Sequence, residues 1–220
     1  MKLKNIFIAC DTANPNKIKK IIKQTKNKEL KVGYKIGLQF FYSKKGRQFL
    51  SELKNEIIFI DLKLMDIPNT MVAAVKSLKD LKINYLTVHI SSGLDALRAV
   101  KKISGKIKIV GVTTLTSLNN KDLRLIGYKR TTENLVIHQA KLAKKAKLDG
   151  IVCSPLEVDQ VRKIFKKEII TPGIQLDKRN KDQKRFMHPR KVNSHWLVIG
   201  RAITKGNIKK NIAKLLKSLK

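Results

Sequence analysis

The sequence predicts an α/β protein, a single-domain (β/α)8 barrel running over residues 1–220. Three observations carry this. Apolar, strand-like runs alternate with amphipathic segments eight times along the 220 residues. The charged and polar residues with chemical potential sit at the C-terminal ends of those runs. No glycine-rich phosphate loop or dinucleotide fingerprint interrupts the pattern. In a barrel every strand end of that kind opens on one mouth. Asp11, Lys35, Asp61, Lys63, His89, Thr116, Pro172 and Arg201 would then surround a single cavity. An open doubly wound sheet is the other architecture, and it gives no reason for this placement.

The first strand is residues 5–10 (NIFIAC), stopped by Asp11. Residues 15–26 bring Ile18, Ile21 and Ile22 onto one helical face, with lysines opposite. The second strand is 32–36, with Lys35 and Gly37 at its end, and a helix through Phe49, Leu50 and Leu53 follows. The third strand starts in the apolar run 57–60 (IIFI) and turns charged at Asp61, Lys63 and Asp66. Pro68, Asn69 and Thr70 open the next helix, because proline is tolerated in a first turn, and it continues through Val72, Val75, Leu78 and Leu81. The fourth strand is 85–90 (YLTVHI), with Ser91, Ser92 and Gly93 expected to cap a helix over 94–103. The fifth strand, 107–112, leads into 113–117 (TTLTS). Helical pattern resumes from Asn119 and again over 132–147. The sixth strand is 150–153, before a helix through Val158, Val161 and Ile164. The seventh is 168–171 and the eighth is 197–199, ending in Gly200 and Arg201. A last helix places Ile208, Ile212, Leu215, Leu216 and Leu219 on one face. Residues 172–190 form the one long polar stretch without periodicity, and such a loop in a compact domain is functional or disordered.

Hydrophobic content of 42% and charged content of 30% suit a soluble globular chain. No stretch approaches the length of a membrane-spanning helix, and the short apolar run at the start ends at Asp11, so a cytoplasmic protein is expected. Cys10 and Cys153 lie in strand-like runs without metal spacing and read as small buried hydrophobes, not a disulfide. The net charge is +33. Its lysines are spread over many helices, for example Lys17, Lys19, Lys20 and Lys23, then Lys141, Lys144, Lys145 and Lys147, then Lys209, Lys210, Lys214, Lys217 and Lys220. Aromatic residues make up only 5%. A nucleic-acid binder gathers its cations on one element among aromatics, so no specific nucleic-acid partner is expected, only low-salt affinity for polyanions.

The stretch 57–70 (IIFIDLKLMDIPNT) concentrates the chemistry. Side chains alternate along a strand, so Asp61 and Lys63 leave its C-terminal end on the same side, and Asp66 follows where the strand finishes. If the three converge, flanking carboxylates hold Lys63 as a fixed cation and a potential proton donor. A surface ion-pair cluster is the other reading of the same spacing. Barrel enzymes commonly hold phosphate on the loops after strands seven and eight. Here those loops carry Pro172, Gly173 and Ile174, then Gly200 and Arg201. The glycines let backbone N–H groups approach an anion, and Arg201 supplies a fork for its oxygens. His89 reads as a packed barrel residue, and His138, His188 and His195 have no metal spacing. The 40–42 run (FFY) reads as helix–barrel packing or a contact between subunits, and Trp196 as packing.

These residues resemble the orotidine 5′-phosphate decarboxylase family, in which Asp-x-Lys-x-x-Asp-Ile-x-x-Thr follows the third strand. The resemblance runs end to end: ACDTAN at Asp11, YKIG at Lys35, VTTLTS at Thr116, TPGI at Pro172, DQKRFMHP at Gln183 and VIGRAIT at Gly200 and Arg201 fall in the family's order. It implies cofactor-free, metal-free decarboxylation of orotidine 5′-phosphate to UMP, in pyrimidine nucleotide synthesis. By that resemblance Lys63 stabilises charge at the pyrimidine carbon and delivers a proton to it, while Asp61 faces the departing carboxylate and the ribose. Asp66 and Thr70 would reach the other subunit's site, which implies a homodimer, and Ile67 between them would bind substrate. Asp11 and Lys35 would bind the ribose, Thr116 the pyrimidine edge and Pro172 the base. Gln183, Arg201 and the Gly200 amide would hold the phosphate.

One departure stands out. Bacterial relatives usually read TPGIR, and this chain has Gln175 where the arginine falls. The change would weaken substrate binding unless Lys178, Arg179 or Lys181 in the same basic loop compensates. Two other functions are weighed against the main one. The sister keto-sugar-phosphate decarboxylases and synthases share Asp-x-Lys-x-x-Asp but use magnesium, with an acidic residue at the second strand's end; Lys35 there would repel the ion. A catalytically dead barrel binding polyanions would be expected to have lost its mouth residues.

Overall fold

Each strand pairs in parallel with the next, and the last pairs with the first, so the sheet closes on itself. The computed structural model describes residues 4–176 and 187–219. The strands are β1 (Lys4–Ala9), β2 (Leu30–Gly37), β3 (Ile57–Leu64), β4 (Tyr85–His89), β5 (Lys108–Val112), β6 (Gly150–Val152), β7 (Glu168–Thr171) and β8 (Trp196–Ile199). Closure is made by Asn5 opposite Trp196 through Ile8 opposite Ile199. The doubly wound alternative is thereby excluded. Outside the barrel lie α1 (Pro15–Thr25), α2 (Leu38–Phe41), α3 (Gly46–Glu52), α4 (Pro68–Ser77), α5 (Leu94–Ile103), α6 (Asn120–Leu125), α7 (Thr132–Lys145), α8 (Val158–Ile164), α9 (Arg201–Thr204) and α10 (Ile208–Leu219).

Strand alternation divides the core in two. Ile6 and Ile8 of β1 face outward and pack with Ile18 and Ile21 of α1 in the shell between barrel and helices. Phe7 and Ala9 face inward, with Phe59, Tyr85, Val110, Ile170, Trp196 and Val198. Phe7 stacks on Trp196 at 4.1 Å between ring centroids and meets Tyr85 edge-on at 5.2 Å. A Cβ on Gly33 would lie 2.6 Å from Phe7 Cε1, so only glycine leaves room for this ring. These rings plug the N-terminal half of the barrel interior, and open space remains at the C-terminal mouth.

Three local expectations change. Ser91 and Ser92 do not cap α5. The chain first makes a 3₁₀ turn over Ile90–Ser92, where the Ser92 hydroxyl donates to the His89 carbonyl. Gly93, at φ 88°, then precedes α5 and has no side chain to cap it. The helix from Thr132 stops at Lys145, and Lys147 follows at φ 58°. Trp196, expected just before the last strand, is its first residue.

The two described ends of the long 172–190 stretch meet beside β7. Ile174 bridges Met187, the Gln175 N–H donates to the Met187 carbonyl at 3.3 Å, and the Met187 N–H donates to the Gly173 carbonyl at 3.1 Å. Both cysteines are buried, and burial pushes the Cys10 thiol up to about 12 against the pull of Lys35. Among the described residues no helix is long and apolar enough to cross a membrane.

Candidate active site

The last residues of β2 and β3 bring three charged groups together. Lys63 Nζ donates to Asp61 Oδ1 at 2.9 Å, and Lys35 Nζ lies 3.4 Å from Asp61 Oδ2 and 3.4 Å from Asp11 Oδ1. Asp61 is therefore held between two ammonium groups, each on a different carboxylate oxygen. Burial opposes its charged form, yet Lys35, Lys63 and the hydrogen bonds of Lys63 and Thr87 outweigh it and keep the carboxyl below its ordinary range. Burial likewise opposes charge on Lys35, and Asp61 and Asp11 outweigh it, so the ammonium is held above its ordinary value. Both groups stay charged at neutral pH.

The backbone that presents this pair is irregular. β3 and β4 are in step at Phe59 opposite Tyr85 and Ile60 opposite Leu86, but the next partners are Leu64 and Val88. Three residues of β3, including Asp61 and Lys63, thus face Thr87 alone. Bulges of this kind re-aim side chains. Lys63 sits at φ 50°, a left-handed conformation unusual for a residue with a Cβ. Its N–H donates to Thr87 Oγ1 at 2.8 Å, and the Thr87 hydroxyl donates to Asp61 Oδ1 at 3.0 Å. Sequence reasoning passed over Thr87. A threonine in an apolar strand looks like any other β-branched residue, and only the register shift distinguishes it.

These groups open into a cavity of about 280 Å³ at the mouth. Asp11, Lys35, Asp61 and Lys63 line one part of its wall, and Thr114, Leu115 and Thr116 follow after β5. Pro172, Gly173, Ile174 and Gln175 enter after β7, and Gly200 and Arg201 after β8. Its floor is apolar, from Ala9, Phe59, Val112, Val152 and Val198. Gly173 adopts φ 78°, which favours glycine there. A Cβ at Gly200 would sit 3.7 Å from Asp11 Oδ2, so the β8 end and Asp11 are neighbours. Behind Thr114, a buried chain also missed in the sequence runs from its hydroxyl to Gln139 Oε1 (3.2 Å), and from Gln139 Nε2 to Ser91 Oγ (3.4 Å).

Other predicted residues lie elsewhere. Asp66 does not converge on Lys63: β3 ends at Leu64, and residues 65–70 are exposed at the rim, with the Asp66 carboxylate accepting from the N–H of Ile67. Ile67 and Thr70 share that exposed segment and do not line the cavity. His89 is half-buried outside the lining, its Nδ1 accepting from the Ser91 N–H at 3.4 Å. Burial, with Lys63 nearby, pulls its pKa below the ordinary histidine value. Gln183, Lys178, Arg179 and Lys181 lie outside the described residues. Among the described residues no group of three or more His, Cys, Asp or Glu side chains could hold a metal ion.

A closed parallel barrel with a lysine–carboxylate cluster and one glycine at each of the β7 and β8 exits of its C-terminal mouth defines a class, the barrels that act on small anionic substrates. Within it, this chain belongs to the orotidine 5′-phosphate decarboxylase / HUMPS family, whose model matches residues 4–215. It is 46% identical over 200 residues to an orotidine 5′-phosphate decarboxylase of Wolbachia pipientis, covering 86% of this chain and 88% of that protein. It is 38% identical over 214 residues to the one from Carboxydothermus hydrogenoformans, covering 90% and 88%. The crystal structure of orotidine 5′-phosphate decarboxylase from Lactobacillus acidophilus superposes with a TM-score of 0.80 at 29% identity, covering 98% of this chain and 99% of that one.

Proposed function

We propose that this chain catalyses the reaction its relatives are named for, decarboxylation of orotidine 5′-phosphate, giving UMP and carbon dioxide. The observation that carries the reading is the Lys35–Asp61–Lys63 line of charges set in one cavity with Gly173, Gly200 and Arg201. A cation fixed where negative charge develops is what a carbanion-like transition state needs, and coupled charged groups gathered in a cleft mark functional sites.

The steps balance without a cofactor. The bond between the pyrimidine C6 and its carboxylate breaks, carbon dioxide departs, and the electron pair stays on C6. Lys63 stabilises that charge and transfers an Nζ proton to C6, then regains one from solvent. Asp61, held ionised, faces the substrate carboxylate and the ribose. Asp11 and Lys35 contact the ribose, Thr116 the pyrimidine edge and Pro172 the base. Arg201, the Gly200 amide, Gln175 and Gln183 serve the phosphate. Lys35 already lies between the Asp11 and Asp61 carboxylates, and its charge would repel the divalent ion that the sister reaction uses.

The same reading makes the barrel a single domain and a homodimer, in which Asp66, Ile67 and Thr70 complete the partner's site, working in the cytoplasm. Supporting the dimer, Met65 and Ile67, two residues apart at the rim, are 60% and 66% exposed, and exposed apolar residues of this kind mark interfaces. Turnover in D2O tests the chemistry: the UMP formed should carry one deuterium at C6, and unlabelled UMP would remove solvent-exchangeable Lys63 from the donor role.

A further inference from the structure

Thr87 is fully buried, and its side chain lies inside the barrel one layer above Tyr85 of the aromatic plug. Its single hydroxyl makes two bonds of opposite sense. It accepts from the Lys63 N–H and donates to Asp61 Oδ1. A hydroxyl has one proton to give, so with the amide as donor its own proton is committed to the carboxylate. The register shift leaves β3 two residues longer than β4 between Ile60 and Leu64. The Lys63 amide at that point is met by a side chain instead of a strand carbonyl.

We propose that Thr87 is a positioning residue for the reaction, the clasp that holds the strained Lys63 backbone and aims Asp61. The proposal rests on the function read above. A non-glycine residue at φ 50° persists only where its surroundings over-determine it, and such strain gathers at functional sites. The bond to Thr87 anchors that backbone, and the bond to Asp61 fixes the acceptor that Lys63 Nζ reaches. One hydroxyl thus sets both ends of the Lys63–Asp61 pair. Losing it frees Lys63 to relax toward an ordinary strand conformation and lets Asp61 turn.

The experiment compares wild type with Thr87→Val, which keeps shape and removes the hydroxyl, and Thr87→Ser, which keeps the hydroxyl. Three readouts are kcat and KM for orotidine 5′-phosphate, affinity for UMP, and a crystal structure of Thr87→Val. A misplacement of about an ångström costs on the order of a hundredfold in rate, so kcat of the valine variant should fall by that order. UMP, which keeps the ribose but lacks the carboxylate that Asp61 faces, should lose far less affinity than kcat falls, Thr87→Ser should recover most of the rate, and Lys63 should have left its positive φ. Wild-type kcat in Thr87→Val, equal loss of UMP binding, a serine variant as slow as valine, or an unmoved Lys63 would each overturn the proposal. If wild type fails to turn over orotidine 5′-phosphate, the function reading falls, and the crystal structure still decides whether Thr87 holds Lys63.

Discussion

The ammonium of Lys63 lies 2.9 Å from Oδ1 of Asp61, two residues earlier on the same strand. Alternation alone would set these side chains parallel. The φ of 50° at Lys63 and the register shift beside it accompany the direct contact. The pair is thus a built feature, in which the Lys63 ammonium and the Thr87 hydroxyl both donate to Oδ1 of Asp61.

Removing the cation should stop the reaction without unfolding the chain. In Lys63→Ala, Asp61 still faces Lys35 at 3.4 Å and keeps Thr87 as donor. Since one preorganised donor is worth roughly 10²–10³ in kcat, and Lys63 also supplies the proton, the loss should be at least about 10³-fold. Circular dichroism and the melting temperature should match wild type, and an active variant would free Lys63 of its role.

The phosphate end should respond differently. Hydrogen bonds to charged groups are worth about 1.5–3 kcal/mol, so Arg201→Ala should lower kcat/KM by about ten- to a hundredfold. Arg201 is exposed at the mouth, so the melting temperature should not move. Steady-state kinetics on the purified variant reads both.

The proposed sharing of sites between subunits has a complementation test. Asp61 is in the cavity of its own chain, whereas Asp66 is at the exposed rim. Inactive Asp61→Ala and Asp66→Ala proteins, mixed and allowed to exchange subunits, should regain part of the wild-type activity. Mixed dimers proven by mass spectrometry but without activity would count against sharing.

His89 should leave a mark on stability below neutral pH. Its folded pKa lies below the ordinary 6.5, through burial and then the Lys63 charge. The neutral form is favoured in the fold, so its contribution is present above the unfolded value and is lost as pH falls through the folded one. Wild type should therefore lose melting temperature between about pH 7 and pH 5 more steeply than His89→Gln. Parallel slopes would contradict the assignment. Asp61 and Lys35 should add no slope in this window, because Asp61 is held below and Lys35 above their ordinary values.

How much of this was legible in the sequence follows from where composition changes. The barrel was legible because each apolar run breaks abruptly into charge or glycine at the end that faces the mouth, as at Asp61 and Gly200. Lys35 and Asp61 were legible as mouth residues for the same reason. Their mutual contact was not, since it depends on β2 and β3 lying in register. Asp66 looked like the third member of a cluster, and one further turn of chain carries it to the rim. Ser91 and Ser92 have the composition of a cap but are used by a 3₁₀ turn. Thr87 and Gln139 could not be singled out, because their roles lie in hydrogen bonds across strands and helices that no local pattern encodes.

The most direct measurement is loss of orotidine 5′-phosphate absorbance, followed in excess EDTA at moderate salt with purified protein. The expected result is rapid loss with stoichiometric UMP, abolished in Lys63→Ala. No loss there, together with turnover of a keto-sugar phosphate once magnesium is added, would contradict the account and move this chain to the sister reaction.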